Sequence, residues 1–215
     1  MTSDPVKVFA PDRPLTIGLM GGIAAGKSLV AELFEQHGLS RLDADEVSRE
    51  ITAKPEIQAQ LVDRFGPRAV TPDGQLDRKW LAEQVFTDSS GRRDLEALTH
   101  PAIRAVLLEQ LESALAAGQS VILDVPLLIE TGLVDRCDIC VYVDTADSVR
   151  RERARSRGWS EGELERREAN QAELSVKKSR CAITITNDRA IQDTAAQVAA
   201  ALACLGGDAK NEQNH

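Results

Sequence analysis

What the chain lacks narrows it first. No apolar stretch approaches the ~20 residues that a membrane-spanning helix needs, and the first residues, with Asp4, Pro5, Pro11 and Pro14, lack the apolar core of a signal peptide. Positive charge is scarce: 26 Lys and Arg stand against 34 Asp and Glu, a formal net charge of −8. Binders of nucleic acid or anionic membranes collect positive charge to neutralise phosphates. Neither class fits, and any phosphate site must be locally basic. Four cysteines contain one C-x-x-C, Cys137 and Cys140, with no second pair at zinc spacing. Those two fall in an apolar run and read as buried strand cysteines, as do Cys181 and Cys204. Of three histidines, His215 ends a polar tail and His37 ends a helical pattern, which leaves His100. There is no internal repeat. The expectation is a cytoplasmic protein with no membrane and no nucleic-acid partner.

What is present is led by Gly21-Gly22-Ile23-Ala24-Ala25-Gly26-Lys27-Ser28, a complete G-x-x-x-x-G-K-[ST] phosphate-binding loop. Glycines let such a loop turn its backbone N–H groups around polyphosphate oxygens, where side chains would collide with the ligand. The Lys27 ammonium reaches the β- and γ-phosphates, the Ser28 hydroxyl ligates magnesium, and the helix starting there points its positive dipole end at the anion. The context agrees. Leu15–Met20 reads as a short buried strand, and Leu29, Val30, Leu33 and Phe34 recur at helical spacing after the lysine.

At 215 residues the chain suits one large α/β domain with a small inserted part. Strand-like runs at 15–20, 39–43, 120–125, 138–143 and 182–186 alternate with helical stretches, the pattern of a parallel sheet. Residues 55–118 contain no convincing strand but several amphipathic helices, broken at Gly66-Pro67, at Pro72-Asp73-Gly74 and near Ser89-Ser90-Gly91. That is far more than a crossover needs, so this stretch reads as a helical insertion carrying substrate specificity. The core then comprises 15–54 and 119–205, with flexible termini at 1–14 and 206–215.

Two further features bear on chemistry. Arg150 to Lys178 holds nine basic residues, among them Arg153 and Arg157, interleaved with glutamates. It is either a solvated salt-bridged helix or a basic lid closing over ATP. Asp43-Ala44-Asp45 ends the second strand. Residues two apart share a strand face if the extended geometry persists, and one carboxylate could then take a proton from a substrate hydroxyl while sensing magnesium; the alternative for this pair is a helix N-cap. Asp124 follows Val121-Ile122-Leu123 as a Walker B acid would, and Leu127 and Leu128 after Pro126 serve equally as ligand walls or as core.

The combination of the Gly-Gly-Ile loop at 21–23, Asp43-Ala44-Asp45 with Arg49, His100-Pro101, Val125-Pro126-Leu127-Leu128, the arginine-rich stretch and Asn187 resembles the dephospho-coenzyme A kinases, over roughly residues 15–203. The resemblance implies a P-loop NTPase-type α/β fold: a five-stranded parallel sheet flanked by helices, a helical acceptor-binding insertion at 55–118 and a lid at 157–171. It implies ATP-dependent phosphorylation of the ribose 3'-hydroxyl of dephospho-CoA, with magnesium as cofactor and ATP and dephospho-CoA as partners of a monomer or weak homo-oligomer. Carried over by position, Gly22, Ile23, Ala24, Ala25, Gly26, Lys27, Ser28, Leu29 and Asn187 would bind ATP. Asp45 would be the base, with Lys27, Arg153 and Arg157 stabilising charge, and Ser28 and Asp45 would hold the metal. Asp43, Arg49, His100, Leu127 and Leu128 would meet the acceptor, and Gln171 lies where the lid closes. Met20 and Ala24 depart from the family's common threonine and glycine. Another small-metabolite kinase, or a nucleotide switch, remains an alternative, although no Asn-Lys-x-Asp guanine-reading sequence occurs.

Overall fold

The computed structural model describes residues 9 and 11–207. Of the termini expected to be flexible, residues 1–8, 10 and 208–215 lie outside the described residues. The chain divides into two compact units, the described part of Met1–Leu42 with Leu111–His215, and Asp43–Gln110. The second unit therefore begins twelve residues earlier than residue 55, and it takes in the helix that follows the second strand.

The first unit is built on five strands, β1 Thr16–Gly21, β2 Ser40–Asp43, β3 Val121–Asp124, β4 Ile139–Asp144 and β5 Ile183–Thr186. Each lies within a residue of its expected position. They form one parallel sheet in the order β2-β3-β1-β4-β5. β1 is central, with Gly18 registered against Leu123 on one side and Cys140 on the other. Every β1 residue is buried, which explains why its sequence reads as a continuous apolar run rather than an alternation. Gly18 is required by packing, because a Cβ there would come within 2.7 Å of both Cys137 Sγ and Leu128 Cδ2. β5, at one edge, has exposed Thr184 and Thr186 alternating with inward isoleucines.

Helices α1 Lys27–Glu35 and α9 Ile191–Gly207 pack on each other. With β1, β3 and β4 they close the main core of Ile17, Leu19, Phe34, Ile122, Val141 and Val198. Gln197 of α9 finishes β5: its amide accepts from Thr186 N at 2.9 Å and donates to Thr186 O at 3.0 Å. Before β1 the chain is tied down by Arg13, whose guanidinium donates to Asp138 at 2.7 Å. Cys140 alone meets the expectation of a buried strand cysteine; Cys137 and Cys181 are half-buried just before β4 and β5, and Cys204 is exposed on α9. All four are free thiols.

The second unit is helical: α2 Ala44–Thr52, α3 Pro55–Phe65, α4 Arg78–Thr87 and the first part of α5 Ser89–Ala116, which carries the chain into the first unit. Ile57, Leu61, Ala69 and Leu81 form its buried side. The only strand-like pairing among its described residues is an isolated antiparallel bridge, Val70 to Leu76, around the turn at Pro72–Gly74. His100-Pro101, which resembles a helix start, lies inside α5. No helix among the described residues is long and apolar enough to cross a membrane.

Phe34 is fully buried between α1 and its neighbours. Phe34→Ala is expected to cost about 3–5 kcal/mol and lower the melting midpoint by on the order of 10 °C, read by thermal denaturation. A loss below ~1 kcal/mol would contradict this placement of the core.

Candidate active site

The phosphate-binding sequence forms the turn between β1 and α1 at the centre of the sheet. Its backbone visits the left-handed region twice, at Ala24 (φ 61°) and at Gly26 (φ 89°), the residue that caps α1. Glycine adopts this conformation without penalty; for alanine it costs roughly 1–2 kcal/mol. Ala24 therefore stores strain in the loop. Gly26 has a second reason to be glycine, since a Cβ would strike the Asn187 side-chain amide. At Gly22 a Cβ would lie 2.7 Å from Arg150 Nη1.

One carbonyl gathers the surrounding elements. Ala25 O accepts from Thr145 Oγ1 at 2.9 Å, from Asn187 Nδ2 at 2.8 Å and from Arg153 Nη1 at 3.0 Å. Thr145 follows β4, Asn187 follows β5 and Arg153 stands on α6 Asp147–Ser156, so three separate elements hold one loop atom. Arg153 also donates to Asn187 O at 2.8 Å, and Thr194 Oγ1 donates to Asn187 Oδ1 at 3.2 Å. Asn187 is 1% exposed with both ends of its amide occupied. Asn187, expected among the ATP-binding residues, braces the loop through these bonds. Arg153 is likewise committed to loop carbonyls.

The arginine-rich stretch resolves into α6, α7 Glu163–Glu168 and α8 Leu174–Ser179. Its interleaved acids are used. Arg150, 6% exposed, is paired with Asp147 and with Glu168 and donates to Ile23 O. Arg151 pairs with Asp147 and Glu165, and Glu163 with Arg166 and Arg167. Arg157 is exposed, its guanidinium 5.9 Å above the Trp159 ring. Much of the positive charge is thus already compensated within the segment. Arg150, which underlies Gly22, gave no signal separating it from its neighbours in sequence.

A groove at the head of β1 is lined by Gly21, Lys27, Pro126, Leu128, Glu130 and Lys177. Lys177 is 3% exposed. Burial holds its ammonium below the usual lysine range, the nearby charge of Lys27 adds to that, and Glu130 and Glu168 act in the opposite sense. Ser28 is exposed at the start of α1, and Leu29 is half-buried against the core. Leu128 is 2% exposed and packs beside Gly18, whereas Leu127 is half-exposed. Asp124 is buried and ion-paired to Arg41 at 2.5 Å, so that carboxylate already holds a cation.

The remaining site residues stand in the helical unit. β2 ends at Asp43, whose carboxylate accepts from Asp45 N at 2.8 Å and Glu46 N at 3.2 Å. The cap starts α2 at Ala44, so the extended geometry that would have put Asp43 and Asp45 on one strand face does not persist. Asp45 is exposed in the first helical turn, and Arg49, one turn on, donates to its carbonyl at 3.2 Å. Arg78 joins this group: its guanidinium donates to Thr52 Oγ1 at 2.6 Å, and burial followed by the charge of Arg49 lowers its pKa while Asp45 raises it. His100 lies half-buried along α5, apart in sequence from this cluster.

A family model described as dephospho-CoA kinase matches residues 15–193. The dephospho-CoA kinase of Deinococcus radiodurans is 40% identical over 205 residues, 94% of this chain and 97% of that one. That of Geobacillus kaustophilus is 38% identical over 192 residues, 87% and 95% of the two chains. A Thermus thermophilus protein of known crystal structure superposes with a TM-score of 0.75 at 34% identity, over 91% of this chain and all of that one.

The cap role of Asp43 separates its two substitutions. Asp43→Ala is expected to lose about 1 kcal/mol in denaturant melts, and Asp43→Asn only a few tenths, because asparagine caps as well as aspartate. Equal losses would show that the charge, not the cap, is what matters there.

Proposed function

The chain belongs to the dephospho-CoA kinase family, and on that footing we propose how its residues carry out the ATP-dependent phosphorylation of the ribose 3'-hydroxyl of dephospho-CoA. The observation that carries the reading is the complete phosphate-binding loop at the central strand, inside a family match spanning residues 15–193.

The backbone N–H groups between Gly22 and Ser28, apart from that of Ala25, which donates to Gly22 O, and the N-terminus of α1 bind the triphosphate, which requires no reorganisation of a loop already braced from three sides. Lys27 follows the γ-phosphoryl as charge moves through the transition state. Magnesium that came with the nucleotide would need only one or two protein groups. The exposed Ser28 hydroxyl fits that donor set, with Asp45 as the further candidate. When bound, the ion would neutralise charge on the phosphate oxygens. Asp45 orients the acceptor hydroxyl and accepts its proton. Arg49, with Arg78 beside it, holds an acceptor phosphate, and His100, Leu127 and Leu128 border the acceptor. The segment 157–171 closes over the site, with the exposed Arg157 among its cations, and shields the transfer from water.

Incubation with dephospho-CoA, magnesium and ATP is expected to yield ADP and a product carrying one added phosphate on the 3'-oxygen, identified by mass spectrometry with fragmentation. ADP formation independent of acceptor, or a phosphate at another position, would overturn the assignment.

Asp45→Asn is nearly isosteric. It is expected to leave the fold and ATP binding in place and to lower turnover at least ~100-fold through loss of the proton acceptor. Near wild-type turnover in that variant would remove Asp45 from the role.

A further inference from the structure

Among the described residues, two basic side chains are buried, Arg150 and Lys177. Arg150 has carboxylate partners in Asp147 and Glu168. Lys177 has a different partner: its Nζ donates to the amide oxygen of Gln171 at 2.6 Å, a neutral acceptor. An ammonium carries three N–H donors and no acceptor, so this bond orients the group without neutralising it and leaves two donors to place. Burying a charge without a directly bonded carboxylate is costly; Lys27 in the same groove raises that cost, and Glu130 and Glu168 offset part of it. A chain that keeps two cations together at the end of its phosphate-binding strand lowers its energy when an anion sits between them.

The backbone around Lys177 is built to hold it there. α8, which carries it, packs against β1. Just before α8, Ala172 N donates to Glu130 Oε1 at 2.6 Å, which pins the segment containing Gln171 to the loop after β3. Glu130 thereby commits one carboxylate oxygen to the backbone. Lys177 and Lys27 thus reach one groove from unrelated elements, α8 and the start of α1.

We propose that Lys177 is a second phosphate-binding cation of this site, its ammonium oriented by Gln171 to take a non-bridging oxygen of the terminal phosphates of the bound nucleotide. The proposal rests on the phosphate-loop reading above and deepens it. It also accounts for Gln171: a carboxylate in its place would neutralise the lysine before the nucleotide arrived.

Titration of the free protein with a non-hydrolysable ATP analogue and with AMP, without acceptor, tests this. A charge-assisted hydrogen bond to phosphate corresponds to roughly a 10- to 100-fold change in affinity. Lys177→Met is expected to weaken analogue binding by about that factor while AMP binding changes less than about 3-fold, and Lys177→Arg is expected to recover most of the loss. Gln171→Glu, which leaves the lysine in place, is expected to weaken the analogue selectively by about 3- to 10-fold. Wild-type analogue binding by Lys177→Met would overturn the proposal. So would equal weakening of analogue and AMP together with a lowered melting midpoint, the signature of a residue that only supports α8. If the wild-type protein binds no triphosphate, the phosphate-loop reading falls and Lys177 with it. If it binds the analogue but does not phosphorylate dephospho-CoA, the acceptor assignment fails and the Lys177 result still decides this question.

Discussion

The carbonyl of Ala25 is where the site and the fold meet. Thr145, Asn187 and Arg153 converge on it from the ends of β4 and β5 and from α6. Each hydrogen bond contributes only about 0.5–1.5 kcal/mol net, more where the donor is charged. Together they are of the size needed to hold Ala24 in its left-handed conformation. A loop left to itself would relax; this one is fixed by groups that lie up to 162 positions away in the chain. Pre-placed loop amides are what a phosphoryl-transfer site requires, because donors that need not move at the moment of reaction stabilise charge most effectively.

Charge is placed with the same selectivity. The protein is acidic overall, yet its positive groups concentrate along α6 to α8. Part of that charge, on Arg151, Arg166 and Arg167, is offset by neighbouring glutamates and an aspartate through exposed pairs worth little individually. The buried Arg150 differs, since it touches the loop carbonyl of Ile23 and occupies the space under Gly22. Lys27 and Lys177 remain directed at the groove, where a polyphosphate can compensate them. An acidic chain thus keeps a locally basic site without a broadly basic surface.

How much of this could be read from residues alone follows from the range of the interactions involved. The five strands and the phosphate loop were legible because their signals are local: apolar runs, glycines at fixed offsets, a lysine followed by a hydroxyl. Asp43 and Asp45 were legible as a pair, but their geometry was not, since whether a strand continues or a cap starts a helix is decided by one carboxylate reaching two amides. His100-Pro101 has the look of a helix start; inside the long α5 neighbouring turns carry the helix past the proline. Arg150, Arg153, Asn187 and Lys177 acquire their places only through partners remote in sequence, and nothing in the spacing of the arginines separates the buried one from the exposed ones. Arg78 is similar, being brought to Ser48 and Thr52 by the packing of the helical unit.

The central claim is that the phosphate-binding loop is held in its working shape by the protein before any nucleotide arrives. Amide hydrogen exchange across Gly22 to Val30 in the ligand-free protein tests it most directly. The account predicts slow exchange at Ala25 and Val30, whose N–H groups donate to Gly22 O and Gly26 O at 3.2 Å, with little further protection on adding an ATP analogue. Rapid exchange throughout the loop in the free protein, with protection appearing only once nucleotide is bound, would contradict it.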